Sequence, residues 1–363
     1  MPRRTATMLA STLMLFALLC AGVFMKVPYS EMSPGPTVNT LGDSHGEPVL
    51  NISGHKTYPT SGHLNMTTVR VTGADYDMNL LEAVYGWAAG DNIVVPHENL
   101  YPDGKTDQES TQENAEEFSQ SQESAKVAAL KQLGIPVEAR VIVASVVKGS
   151  PSEGKLHAGD VIKAVDGAAV TAPEDVAKLV TKHKPGEPVE FTIVPAAQAA
   201  EAEKAHREPT GTTKVTVVAG KAEGDGHAVV GIRAGTDHTF PFTIDIKLAD
   251  VGGPSAGLMF SLGIVDKLTP QDLTGGKFIA GTGTIDEAGK VGPIGGIQMK
   301  TIGARQAGAQ YFLTPAENCA SAAADVPDGL TLVKVSTIDD AVKALEKIGK
   351  GDTAGLPQCG AKP

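Results

Sequence analysis

A mixed α/β fold behind one N-terminal membrane-crossing helix is what the sequence predicts, and three observations carry that expectation. Aromatic residues make up only 4% of the 363 residues while glycine occurs 41 times, a composition of frequent turns and small aliphatic packing that suits a mixed fold better than a β-sandwich. Residues 8–25 form an uncharged run of 18 residues, just long enough to cross a hydrocarbon core. Further along, short runs with strand alternation are interleaved with segments of helical periodicity. Hydrophobic residues at 41% and charged residues at 20% exclude wholesale disorder and a polytopic membrane protein. The length allows two domains of ordinary size. The net charge of −11 provides no general basic field, so nucleic acid is not an expected partner.

The first element is the apolar run. Arg3 and Arg4 precede it and Lys26 follows, a bias that keeps the N-terminus in the cytoplasm and places everything after Lys26 outside. A cleaved signal peptide is the competing reading. Val23, Phe24 and Met25 continue the apolar chain where a polar mature start would stand, which favours an uncleaved single-pass anchor in the cell membrane, residues 1–26. Cys20 then lies in the bilayer, and Cys319 and Cys359 are free to pair in an oxidising compartment. No CxxC or HExxH spacing occurs, so neither a metal nor another cofactor is expected.

Residues 27–132 begin with Pro28, Pro34, Gly35 and Pro36, which read as an irregular stalk, followed by strand-like runs at 49–52 and 64–71. Asn79 is placed to cap a helix over 80–89. Leu80, Leu81, Val84 and Trp87 share one face of it, the pattern of a core helix. Residues 103–123 are acidic and Gln/Ser-rich and read as a surface loop feeding a helix at 125–133.

From 133 to 218 the order of elements is strand 141–146, then Gly159-Asp160-Val161-Ile162, a helix near 173–181, the turn Pro185-Gly186 and strand 189–194. This order resembles a PDZ domain of the bacterial protease-associated type. The resemblance implies binding of extended peptide ends as an added strand at a sheet edge. Residues 196–209, rich in Ala, Glu and Lys, read as a lengthened exposed hairpin.

The chemistry is expected after residue 229. Asp250-Val251-Gly252-Gly253-Pro254-Ser255-Ala256-Gly257 opens an apolar helix, which puts a serine hydroxyl beside unpaired N–H groups near Gly253 that can hold an oxyanion. The segment satisfies GxSxG, but no histidine follows His238, so the triad of an α/β-hydrolase is excluded and the base must be another residue type. A lysine serves if its amine is neutral. For that its pKa must fall by about three pH units, a burial effect of about 4 kcal/mol. Set beside GPSAG, the segment 291–300, with Gly292-Pro293-Ile294-Gly295-Gly296 before Lys300, is similar to the catalytic lysine segment of the Lon peptidase family. The resemblance implies Ser255 as nucleophile, Lys300 as general base 45 residues on, and Thr282 as a supporting residue that positions the amine. Val251-Gly252 stands where ATPase-linked family members usually carry Lys-Asp.

The fold class implied is thus an α/β (α+β) Lon-type peptidase domain, with its catalytic part at 229–350 and a tail at 351–363, an inserted or preceding PDZ domain, and one N-terminal transmembrane helix. Residues 62–69 and 122–125 resemble the start of a Lon peptidase domain, which would begin near Glu47 and pause for the PDZ. No GxxxxGK[ST] occurs, so ATP is not an expected partner. Anchor, PDZ and peptidase together are similar to the YlbL-type membrane proteases of Gram-positive bacteria. That implies an ATP-independent serine endopeptidase acting on unfolded or flexible chains, with an oligomer left open. The alternatives are a catalytically silent PDZ adaptor tethered to the membrane and a Ser/Lys amidase acting on cell-wall material.

Overall fold

The computed structural model describes residues 3–360 except 206, 208, 210 and 250. Asp250 of the nucleophile segment therefore lies outside the described residues. The helices are α1 (Arg3–Phe24), α2 (Leu80–Ala88), α3 (Asp107–Gln132), α4 (Pro173–Val180), α5 (Ala196–Lys204), α6 (Gly257–Leu268), α7 (Ile297–Gln306), α8 (Cys319–Ala322) and α9 (Ile338–Gly349). Two compact units form. The first joins Met1–Gly134 to Ile244–Pro363, and the second, Ile135–Thr243, interrupts it in sequence.

The first unit is built on a six-stranded mixed sheet in the order Thr331–Val335, Tyr311–Pro315, Phe278–Gly281, His63–Val71, Tyr29–Asn39, Ile93–Pro96. Strand His63–Val71 joins the halves, running parallel to Phe278–Gly281 on one side and antiparallel to Tyr29–Asn39 on the other. The chain after the apolar run is therefore no stalk, and the sheet begins well before Glu47. The breakers are accommodated by a register shift between Pro34 and Thr37, where the missing N–H of proline leaves the ladder. Gly35 fits there because a Cβ would lie 2.3 Å from Thr68 Oγ1.

Residues 107–132 form one helix instead of the expected loop. Thr106 and Glu109 close a capping box at its start, and its Glu, Gln and Ala content favours helix without an apolar stripe. Phe118, its main apolar residue in that stretch, packs edge-on to Phe260 with ring centroids 5.8 Å apart. α6 supplies the centre of the core: Leu258, Met259, Phe260, Leu262 and Ile264 are fully buried. The expected Cys319–Cys359 disulfide is present and ties the tail to α8, closing a separation of 40 residues.

The expected core helix α2 is not one. Leu80, Val84 and Trp87 are 36%, 52% and 78% exposed, and the buried positions are Ala83 and Gly86. Gly86 allows close packing, since a Cβ there would meet Val94 at 3.0 Å and Glu31 at 2.6 Å.

The second unit carries the strand order Thr213–Val218, Pro188–Val194, Val161–Val165, Glu138–Val146, Ile232–Thr239 around a core of Val141, Val143, Ile162, Val165, Phe191 and Val217. It reaches Thr243 rather than ending at Val218, because Ile232–Thr239 pairs along the length of Glu138–Val146. Asp160 is buried and accepts from the backbone N–H groups of His157 and Ala196. The expected hairpin at 196–209 instead begins as α5, whose Ala199 packs on Val161 and Val194.

Candidate active site and peptide groove

Two sequence-distant segments bring Ser255 and Lys300 together. Gly253, at φ +81°, turns the chain sharply ahead of α6, and Ser255 stands half-buried on that turn. α3 buttresses it: Gly253 N–H donates to Asn114 O at 2.8 Å, and Ser121 Oγ donates to Pro254 O at 2.8 Å. A Cβ on Gly252 would lie 2.8 Å from Asn114 Cβ, so α3 occupies the space that an Asp at this position would need. α7 packs on strands Tyr29–Asn39 and His63–Val71, and its first turn lays Lys300 over the sheet at 2% exposure.

The Lys300 amine has three partners: Ser255 Oγ at 2.8 Å, Thr67 O at 3.0 Å and Thr282 Oγ1 at 3.2 Å. Thr282 is fully buried at the end of Phe278–Gly281, and its own hydroxyl donates to Ser255 O at 3.0 Å. That geometry constrains the proton. Thr67 O can only accept, and Thr282 Oγ1 has spent its hydrogen on Ser255 O, so both take N–H bonds from the amine. A neutral amine has two N–H groups, which leaves its lone pair facing Ser255 Oγ.

No carboxylate is among these partners, and burial pushes the Lys300 pKa down to about 8. About a tenth of the amines are then neutral at pH 7 without help from substrate.

The structure brings Ser255, Lys300 and Thr282 into one cluster and removes Gly253 N–H from the expected oxyanion donors, since Asn114 O already holds it. Pro254 has no N–H. The N–H groups of Ser255 and Ala256 have no acceptor among the described residues. Sequence reasoning missed Thr67 and Asn114, which act through backbone carbonyls and so leave no side-chain signature. A cavity of ≈ 380 Å³ opens beside Pro254, lined by residues including Gln120, Ser124 and Thr284.

In the second unit a groove of ≈ 420 Å³ lies between α4 and Ile232–Thr239, lined by Val176, Val180, Val230, Ile232 and Ala234. Ile232–Thr239 is the edge strand of its sheet, so its outer backbone groups can pair with an added peptide strand.

Residues 249–347 match the family described as the Lon protease (S16) C-terminal proteolytic domain, and residues 117–200 match the PDZ domain. The chain is 39% identical over 95 residues to a Lon protease of Azospirillum brasilense, covering 25% of this chain and 11% of that protein. It is 33% identical over 95 residues to Lon protease 1 of Bacillus subtilis (strain 168), covering 25% and 12%. The match thus spans little more than a tenth of these relatives' own length. The PDZ domain of an SdrC-like protein from Listeria monocytogenes is 21% identical, with a TM-score of 0.21 over 26% of this chain and 86% of that one. Parts of this chain are thus similar to a Lon-type (S16) proteolytic domain, over residues 249–347, and to a PDZ domain, over residues 117–200.

Proposed function

We propose that the protein is a membrane-anchored serine endopeptidase with a Ser255/Lys300 dyad, acting outside the cytoplasm and independently of ATP. The observation that carries this is the buried Lys300 amine, its pKa pushed down to about 8, 2.8 Å from Ser255 Oγ.

Ser255 Oγ attacks a peptide carbonyl while the lone pair of Lys300 takes its proton. The resulting oxyanion is held by the free N–H groups of Ser255 and Ala256. Lys300 then returns the proton to the leaving amine, and the C–N bond breaks to leave an acyl-enzyme. Water deprotonated by the same amine hydrolyses the ester and restores Ser255. Thr282 and Thr67 O hold the amine so that its lone pair points at the reacting oxygen. The cavity beside Pro254 gives room for a substrate side chain.

An ATP-independent peptidase of this kind acts on unfolded, flexible or already cleaved chains. The groove beside Ile232–Thr239 supports capture of apolar peptide ends, and tethering raises their local concentration.

The anchor reading draws support from α1, a 21-residue apolar span at Arg4–Phe24, and from the Cys319–Cys359 disulfide, which suits an oxidising compartment. Arg3 and Arg4 favour a cytoplasmic N-terminus.

The test is to reconstitute the full chain in vesicles, incubate it with an extracellular proteome and map new protein termini. Termini present with the native chain and absent with Ser255→Ala are expected. Identical sets would contradict the assignment.

A further inference from the structure

α2 presents an apolar face to the outside, which the burial rule does not explain. At about 100° per residue, an arc of about 160° runs from Trp87 through Leu80, Val84, Ala88 and Leu81 to Tyr85. That arc carries no charged side chain. Trp87 is 78% exposed, Tyr85 73% and Val84 52%. The one charged residue of the helix, Glu82, is turned away from it: it closes the capping box with Asn79 and accepts from Tyr76 OH at 3.0 Å. A helix facing water ordinarily puts its charges on the outward face.

The position of α2 identifies what covers it. Gly22, the buried residue among the described residues of α1, lies under Leu81, whose Cδ2 is 3.0 Å from where a Cβ would stand. Directly beyond α1, Leu80 N–H donates to Met25 O at 2.9 Å and Val27 N–H to Met78 O at 2.9 Å. Lys26 pairs with Asp77 at the same level. At ~1.5 Å per residue the apolar span is ~31 Å long, close to the ~30 Å of a hydrocarbon core, so its end lies at the bilayer interface. α2 begins within one strand spacing of that end. Phe24 and Met25, at that end of the span, are themselves 84% and 53% exposed. Trp and Tyr are the residues that favour this depth, with an apolar ring body and a polar edge.

We infer that α2 is a membrane-interface helix: Leu80, Val84, Tyr85 and Trp87 insert into the headgroup region of the bilayer that α1 crosses and seat the catalytic unit on the lipid surface. The inference rests on the reading of α1 as a retained anchor.

Trp87 is the only tryptophan of the chain and reports directly. The full chain is reconstituted in phosphatidylcholine/phosphatidylglycerol vesicles, and its emission is quenched either by brominated phosphatidylcholine or by aqueous iodide. Flotation of the same vesicles reports the anchor separately. Brominated lipid is expected to lower the emission about twofold or more while iodide has little effect. Val84→Glu, which puts a carboxylate into the arc, is expected to weaken the lipid quenching while the chain still floats. A floating chain whose Trp87 is open to iodide and insensitive to bromine overturns the inference and leaves the anchor standing. Protection from both quenchers indicates a protein occupant and also overturns it. A chain that fails to float overturns the anchor and the inference together.

Discussion

Lys300 and Trp87 belong to the same folded unit and break the burial rule in opposite directions. The lysine is 2% exposed and the tryptophan 78%. Both deviations sit on short helices packed against the same sheet, but they differ in what enforces them. Lys300 is held by three named partners inside the fold, and its burial is a strain that the surrounding core must outweigh. Trp87 lies outside the packed interior, and its exposure costs the folded chain no packing. In the proposed readings the first departure serves a reaction and the second a lipid surface, so substitutions at the two places should report in different measurements.

The largest effect is expected at the buried end of the comparison. Lys300→Arg keeps a cation but cannot supply a lone pair, and should lower kcat/KM by about four orders of magnitude or more, as should Ser255→Ala. The double variant should be no worse than either single one, because the two residues act as a unit. A Lys300→Arg enzyme within tenfold of the native one would break the dyad.

Next in size is a stability effect with a defined sign. An amine with a pKa of about 8 in the fold and ~10.4 unfolded is charged in both states below pH 8, so its burial penalty of about 3 kcal/mol is present there in full. Between those values the folded state releases its proton first, and stability rises with pH. Lys300→Met has no such slope. Urea unfolding of the two proteins should therefore show their difference moving by about 3 kcal/mol in favour of the native chain between pH 7 and pH ~10.5. Equal slopes would mean that the lysine is not desolvated.

The smallest effects separate the two faces of α2. Gly86→Leu, on the packed face against Glu31 and Val94, should destabilise by about 1–3 kcal/mol. Trp87→Ser should change the unfolding free energy by no more than about 0.5 kcal/mol. A loss at Trp87 as large as at Gly86 would place that side chain in a protein core and remove the contrast.

The contrast also explains what is legible in the sequence. Ser255, Lys300 and Thr282 stand out because the proposed chemistry requires those side chains at that spacing, and the structure places the three side chains together. Thr67 and Asn114 do not, since any residue offers a carbonyl. Gly253 reads as an oxyanion donor in sequence, but whether its N–H is free depends on α3, which lies far away along the chain. α3 itself is hidden by its lack of an apolar stripe, although Thr106 and Glu109 mark its start. Strand Tyr29–Asn39 is hidden by prolines that a register shift absorbs. For α2 the periodicity groups Leu80, Leu81, Val84 and Trp87 on one face, of which Leu81 is half-buried against Gly22 and the other three are exposed. Periodicity says which residues share a face and not what that face meets.

The proposed reading makes Lys300 a base because its amine is buried, and the most direct test of that central claim is a titration of the lysine side chains by NMR on protein labelled with ¹³C at Cε. One lysine resonance is expected to titrate near pH 8 and to be absent from Lys300→Arg. A resonance that is missing from Lys300→Arg but titrates near ~10.4 in the native protein would contradict the claim.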